Sequence, residues 1–507
     1  MNRRLFFQAM AGTAASSALP CTAWSIDAEQ ANQSKLSNNS ISSAFKANSR
    51  LTPLRGYRGQ DIACDGAWVE GKIPADLRGD FYRNGPGLFE RGGRRYHHWF
   101  DGDGMVHAWR FGDQGVSHQA RFVQTRKFAA EAKAGEFLVP AFGTAIAPKM
   151  TMHSGESMNT ANTNVIRHDG RLLALWEGGS AHALDASSLH TQGIVSWSSE
   201  LAGMPFSAHP KIEPDGTMWN FGTLFGKMIL YHIDPQGKLQ KHLSFEAPGS
   251  AMVHDFAVSQ RHIIFLLSPI YFDQDLLRSG NSMVDSMVWQ PKDAVKVLVV
   301  EKDDFSKRRI LELPAFMVFH FGNAWEENNV IHLDFVRSDD LYNLQIAFTK
   351  MMTGDSVTEA PSTPAFLTID LNQGKVSMET RPEVVEFPRI DPRLVGQRNR
   401  HIFYPFASAT SPNRQHSGVM RLDVECGKTD CFDFGDRCIV EEHVVVPKRG
   451  SQNEGEAWLV GVGFDIPMQQ SFASIFDAQN LASGPVALAH VPYWLPHCFH
   501  GNFYSSV

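Results

Sequence analysis

Four histidines stand apart from the 21 in this 507-residue chain because of where they sit. His209 lies in PFSAHPKIEPDG, His254 in AMVHDFAVS, His320 in FMVFHFGNAWE and His500 in LPHCFHGNF. Each is in or beside an apolar run, where an unpartnered imidazole would be costly to bury. They lie dozens to well over a hundred residues apart, so they cannot form a zinc finger or an HExxH pair on one helix. Their separation suits a metal ion whose ligands come singly from different elements, and it suits satisfied core histidines equally well. Three glutamates share such settings: Glu177 in LLALWEGG, Glu386 in VVEFPRI and Glu454 in SQNEGEAWLVG. A carboxylate beside Leu, Trp or Phe is either turned outward by strand alternation or held by a specific partner. A metal-bound imidazole, which donates its second N–H to such an acceptor, is one such partner.

The elements that would position these residues read as strands. From about Leu54 onward, short apolar or alternating runs such as RLLALWEG, MILYHID, HIIFLL, VKVLVVE and AFLTIDL are separated by Gly, Pro, Asp and Asn. Turn signals recur at Asp101-Gly102, Asp169-Gly170 and Asp215-Gly216. Sustained helical periodicity is confined to segments around Ala130–Phe142 and Asp339–Met352. An all-β chain of this length closes most naturally as a β-propeller, because radial repetition leaves only short sheet edges. A pair of two-sheet sandwiches is the competing arrangement.

Composition narrows the function. A hydrophobic fraction of 43% with 20% charged residues describes a globular protein with a large core. The net charge of −7, with Lys and Arg scattered, leaves no footprint for nucleic acid. The N-terminus reads Asn2-Arg3-Arg4-Leu5-Phe6-Phe7, then a short apolar, small-residue stretch up to Cys21-Thr22-Ala23. It predicts a twin-arginine (Tat) signal peptide over residues 1–23 and delivery to the periplasm. A Ser/Asn-rich, disordered lead-in is expected over 24–50, and a single domain over 51–507. Cys426, Cys431 and Cys438 have the wrong spacing for a zinc site; in an oxidising compartment a loop disulfide among them is expected. The glycine-rich GPGLFERGG lacks dinucleotide-binding spacing.

The stretch GDFYRNGPGLFERGGRRYHHWFDGDGMVHAWRF, Gly79 to Phe111, resembles the N-terminal signature of the carotenoid cleavage oxygenases. TANTNVIRHDGRLLALWEGG, AHPKIEPDGTMWNFG, VHDFAVS, FHFGNAWE, EFPRIDPRLVGQRNRHIFY and FHG follow in that family's order, over roughly residues 55 to 505. The resemblance implies a seven-bladed β-propeller, with a loop and helix cap over an axial metal site. It implies one Fe(2+) per chain on His209, His254, His320 and His500, with Glu177, Glu386 and Glu454 behind His254, His320 and His500. Glu456 is the substitute for Glu454 in EGEAWL. The implied reaction is O2-dependent cleavage of a C=C bond in a carotenoid or apocarotenoid. The implied partners are a small apolar substrate, O2 and, for extracting a water-insoluble compound, peripheral contact with a membrane. Stilbene-cleaving relatives tend to carry a lysine where Trp176 stands, so Trp176 is expected to line a pocket for an apolar polyene. Lignostilbene cleavage and lipid binding without turnover are the alternatives. Retention of four histidines and three glutamates argues against the second.

Overall fold

The computed structural model describes residues 45–506 apart from 46, 225, 412 and 413; the expected signal peptide lies outside the described residues. Its strands form seven antiparallel sheets of four or five strands each, the seven-bladed propeller. In chain order, the first strands of the blades are Asn164–His168 (blade I), Lys211–Ile212 (II), Ala257–Val258 (III), Met317–Glu327 (IV), Val384–Val385 (V) and Cys438–Pro447 (VI). Blade VII mixes the two ends of the chain: C-terminal His500–Ser505 pairs with Gly79–Leu88, followed outward by Asp103–Gly112, Gly115–Phe122 and Ile62–Cys64. Trp68–Gly71 also adds to the far edge of blade VI, beside Ala487–His490. Two sheets therefore stitch the N-terminal segment to the C-terminal one and close the ring without a covalent link.

Burial follows position within a blade. His262–Leu267 is buried at every residue, and Val295–Glu301 nearly so, because both faces of a blade's middle strands pack on neighbouring blades. Between blades III and IV, Ile264, Leu266, Val297 and Val299 meet Phe321, Leu333, Phe335 and Leu367. Outer strands such as Leu239–Glu246 alternate half-buried with exposed residues, the period-two pattern of a one-sided sheet. The expected turn at Asp169-Gly170 is a two-residue hairpin with both φ angles positive, 49° and 68°. That geometry suits the right-handed strand twist and explains the Asp-Gly pair.

The cap contains the helical segments. The helix expected around 130–142 runs earlier, Arg126–Ala134, because Thr125 caps its start and Gly135, at φ 71°, ends it. The second begins at Asn343 and continues to Thr353 with its first five residues wound as a π-helix. The lead-in expected to stay unstructured to residue 50 ends sooner. Phe45 is buried against Leu51, Leu54, Phe89 and Met351, with the Arg95 guanidinium 4.7 Å from its ring centre. The expected disulfide is absent among the described cysteines: Cys426, Cys431 and Cys438 are thiols. Cys426 and Cys431 sit in the outer hairpin of blade V, whereas Cys438 is buried at the start of blade VI.

Ring closure should be measurable. Phe81 is fully buried, pairs across the closing sheet with Phe503, and packs with Val460 and Ile475 of blade VI. Phe81→Ala is expected to cost about 3–5 kcal/mol, checked by chemical denaturation of the metal-free protein.

Candidate metal centre and cavity

The inner ends of four blades converge on one point. His209 precedes the first strand of blade II by two residues and His254 that of blade III by three; His320 lies within blade IV's first strand, and His500 opens the closing strand of blade VII. All four are buried, and one ring nitrogen from each lies within 4.8 Å of those of the others. His320 is aimed by a break in strand register: the pairing of blade IV's first two strands skips between Val318 and Phe321. A bulge of this kind turns a side chain out of the sheet's alternation. His500 reaches the axis because Gly85, on the neighbouring strand, has no side chain: a Cβ there would lie 2.5 Å from Cys498 Cα.

Behind three of these rings stand carboxylates. His254 donates its Nδ1–H to Glu177. His320 donates its own to Glu386 Oε2 at 2.5 Å. Glu386 also accepts the Phe387 amide at 2.6 Å, and Phe387 takes a left-handed φ of 50° that sets its ring 4.9 Å from that of His320. His500 donates Nδ1–H to Glu442 Oε1 at 2.9 Å. Glu454, expected in that place, is elsewhere. It lies in the hairpin beyond Pro447, a residue itself about 16 Å along the strand from Glu442, and accepts the amides of Arg400 and His401 at 2.9 and 2.7 Å. Glu456 is bound within the same hairpin by Ser451 and Asn453.

Sequence reading passed over Glu442. It is the second of two adjacent glutamates inside the buried strand CIVEEHVVVP, and both can be held inside because the strand's register skips between Val440 and His443. Two acids inside an apolar run were the available signal. Arg83, fully buried, pairs with both, at 2.6 Å to Glu442 and 3.0 Å to Glu441, as buried charges require. Burial works against the Glu442 carboxylate, but Arg389, His500 and Arg83 outweigh it and hold its pKa well below the usual range. His209 differs: its Nδ1 is 3.9 Å from Asp255, which is engaged by Lys211 at 2.8 Å.

The arrangement calls for a cation. With Nδ1–H committed to Glu177 and Glu386, His254 and His320 turn Nε2 toward one another at 3.2 Å, and His209 Nε2 is 2.9 Å from His254 Nε2. The lone pairs of His254 and His320 repel unless a proton or a metal ion lies between them; burial works against a second proton on His320, but Glu386 outweighs it and raises that ring's pKa. Burial first, then the neighbouring imidazoles, pushes His209 well down; burial, partly offset by Glu442, pushes His500 to about 4. Both rings are thus neutral and able to ligate near pH 7.

Three of the four histidines, His254, His320 and His500, form part of the wall of a cavity of about 1140 Å³, lined by Phe100, Phe142, Trp176, Phe319, Phe348 and Phe387 among others. Trp176 makes a single bridge to Phe206 beside the inner strands and stands next to Glu177 in that wall.

A family model described as "Retinal pigment epithelial membrane protein" matches residues 58–505. The chain belongs to the carotenoid cleavage oxygenase family. It is 33% identical to the apocarotenoid-15,15'-oxygenase of Synechocystis, over 89% of this chain and 95% of that one. It is 30% identical to lignostilbene-α,β-dioxygenase isozyme III of Sphingomonas paucimobilis, over 86% and 92%. Its backbone matches cobalt-substituted Synechocystis apocarotenoid oxygenase with a TM-score of 0.82 at 30% identity, covering 90% and 98% of the two chains. Family membership agrees with the propeller and with a metal site on the four histidines.

The two glutamate positions separate cleanly by experiment. Glu442→Gln should lower metal affinity about 10- to 100-fold, as loss of a partner behind a ligand commonly does. Glu454→Gln should leave it unchanged. Metal content after dialysis against graded chelator, with circular dichroism to confirm folding, checks both.

Proposed function

We propose that the chain is a non-haem Fe(II) dioxygenase that cleaves a carbon–carbon double bond of an apocarotenoid or carotenoid with O2, giving two carbonyl products. The observation that carries this reading is the donor set: four imidazoles and no carboxylate, three of the four lining a largely apolar cavity. Iron(II) held by His209, His254, His320 and His500 would supply the electron chemistry that O2 needs to react with an alkene, and no organic cofactor is required. The chain's own residues do the rest. Phe100, Phe319, Phe387 and Trp176 offer flat apolar walls that exclude water and hold an extended polyene in one pose. Glu177, Glu386 and Glu442 fix the imidazole tautomers and aim.

The relatives' names support the substrate class unevenly, since one is an apocarotenoid oxygenase and another a lignostilbene dioxygenase. Trp176 favours the first. A phenolate entering this wall needs a cationic or hydrogen-bonding partner, since burying it alone costs several kcal/mol, and an indole in place of a lysine supplies no charge. The expected outcome is a higher kcat/KM for an apocarotenal than for a 4-hydroxystilbene, with aldehyde products from both ends and O2 uptake that stops when iron is chelated. Preference for the stilbene overturns the substrate class; uptake indifferent to iron overturns the metal.

Delivery to the periplasm and peripheral membrane contact belong to the same proposal. Arg3-Arg4 and the apolar stretch after them support export. Met152 and Met283 line the cavity and are each 39% exposed, which gives its mouth an apolar rim suited to uptake from lipid. Cell fractionation checks both: the protein is expected in the periplasm, part of it sedimenting with membranes, and a variant with Arg3 and Arg4 replaced by lysine is expected to stay in the cytoplasm.

A further inference from the structure

The cavity wall carries an imidazole–carboxylate pair that the metal centre does not use. His497 lines the cavity, its side chain 13% exposed, and donates its Nδ1–H to Glu441 Oε1 at 3.2 Å. Glu441 is itself fixed. Its Oε2 accepts from Arg83 at 3.0 Å and from the Cys498 amide at 3.2 Å, and Arg83 is the fully buried guanidinium that also holds Glu442. Trp99 stands edge-on to the imidazole with ring centres 6.5 Å apart, and Trp99 in turn packs on Phe499 at 4.8 Å. The ring is therefore oriented from two sides, by an anchored carboxylate and by an aromatic wall.

Orientation decides what the ring offers. A carboxylate only accepts hydrogen bonds, so the proton of neutral His497 sits on Nδ1 and its Nε2 presents a lone pair. Among the described residues, the hydrogen bond recorded for this ring is the one through Nδ1, and none is made to Nε2. An acceptor left without a donor beside an apolar ligand loses its hydration and gains nothing in exchange. A ligand hydroxyl would supply the missing donor, a ligand carbonyl would set acceptor against acceptor, and a hydrocarbon end would leave the lone pair unmet. We propose that His497, held by Glu441, is a substrate-binding subsite that accepts a hydrogen bond from a hydroxyl group on the polyene. This deepens the cleavage reading above and rests on it for the choice of compounds.

The test is anaerobic binding to the metal-loaded protein, followed by quenching of tryptophan fluorescence. Three apocarotenoids identical except at one end, an alcohol, an aldehyde and a hydrocarbon, serve as probes. The wild type is expected to bind the alcohol about 3- to 10-fold more tightly than the other two, the ratio that one neutral hydrogen bond confers. In His497→Phe the ratio should fall to about one at unchanged metal content, and in His497→Gln, which keeps an acceptor, part of it should return. Should His497→Phe fail to fold, His497→Leu carries the same expectation. Equal ratios in the wild type and in the apolar variant, or tighter binding of the aldehyde by the wild type, overturn the subsite. If the binding ratios come out as expected but no compound is cleaved once air is admitted, the cleavage reading fails and the subsite stands.

Discussion

Opposed lone pairs at the axis are the constraint on which the molecule depends. His254 and His320 bring Nε2 atoms to 3.2 Å from one another, a contact at which two rings protonated on Nδ1 alone oppose their lone pairs unless a cation lies between them. Hydrogen bonds to Glu177 and Glu386 forbid the usual escape, in which one ring moves its proton to Nε2 and donates to the next. The carboxylates thus settle the tautomers of these two rings, and the tautomers leave both Nε2 atoms facing the axis as donors for a cation.

The same constraint links the site to the closure of the ring. Ligands come from blades II, III, IV and VII, and the last of them opens the strand that joins the chain's two ends. An ion bound to all four spans blades otherwise joined only through neighbours, so binding stabilises the closed ring against the opened one by mass action. Arg83 ties the two functions at a single residue. It lies on the strand that pairs with His500–Ser505, and it neutralises the glutamate that aims His500.

What could be read from the sequence follows this physics. The four histidines stood out because each interrupts an apolar run, and Glu177 and Glu386 because each follows one. Strand pattern and Asp-Gly turns carried the all-β class, and Asp169-Gly170 is the hairpin they announced. Glu442 was hidden by a register break between Val440 and His443: alternation assigns sides to residues only while the register holds, and here two successive glutamates point inward. Helix ends went the same way, since Gly135 stops the Arg126–Ala134 helix where periodicity alone would carry it on. Phe45 is an apolar residue in a polar stretch whose burial depends on Phe89 and Met351, far along the chain, and no local pattern encodes that.

Placing the carboxylates behind the imidazoles also explains how a charged centre and an apolar cavity share a wall. A glutamate bound directly to the metal would present oxygen lone pairs and negative charge to the cavity, and would need water or donors there. With Glu177, Glu386 and Glu442 one ring further out in a hydrogen-bonded shell, the donors toward the metal are imidazoles; Glu442 does not line the cavity, whereas Glu177 and Glu386 reach its wall with an oxygen committed to a histidine Nδ1–H. The shell is expensive because it buries anions, and the fold meets that cost with donors that never reach the cavity: Arg83 and the Gly501 amide on Glu442, the Phe387 amide on Glu386. His497 repeats the pairing with no metal ligand in it, an imidazole lining the cavity with its Nδ1–H on Glu441, which shares that wall. The fold therefore repeats one pairing, an imidazole whose Nδ1–H is committed to a glutamate, at three of the metal ligands and in the cavity wall beside them.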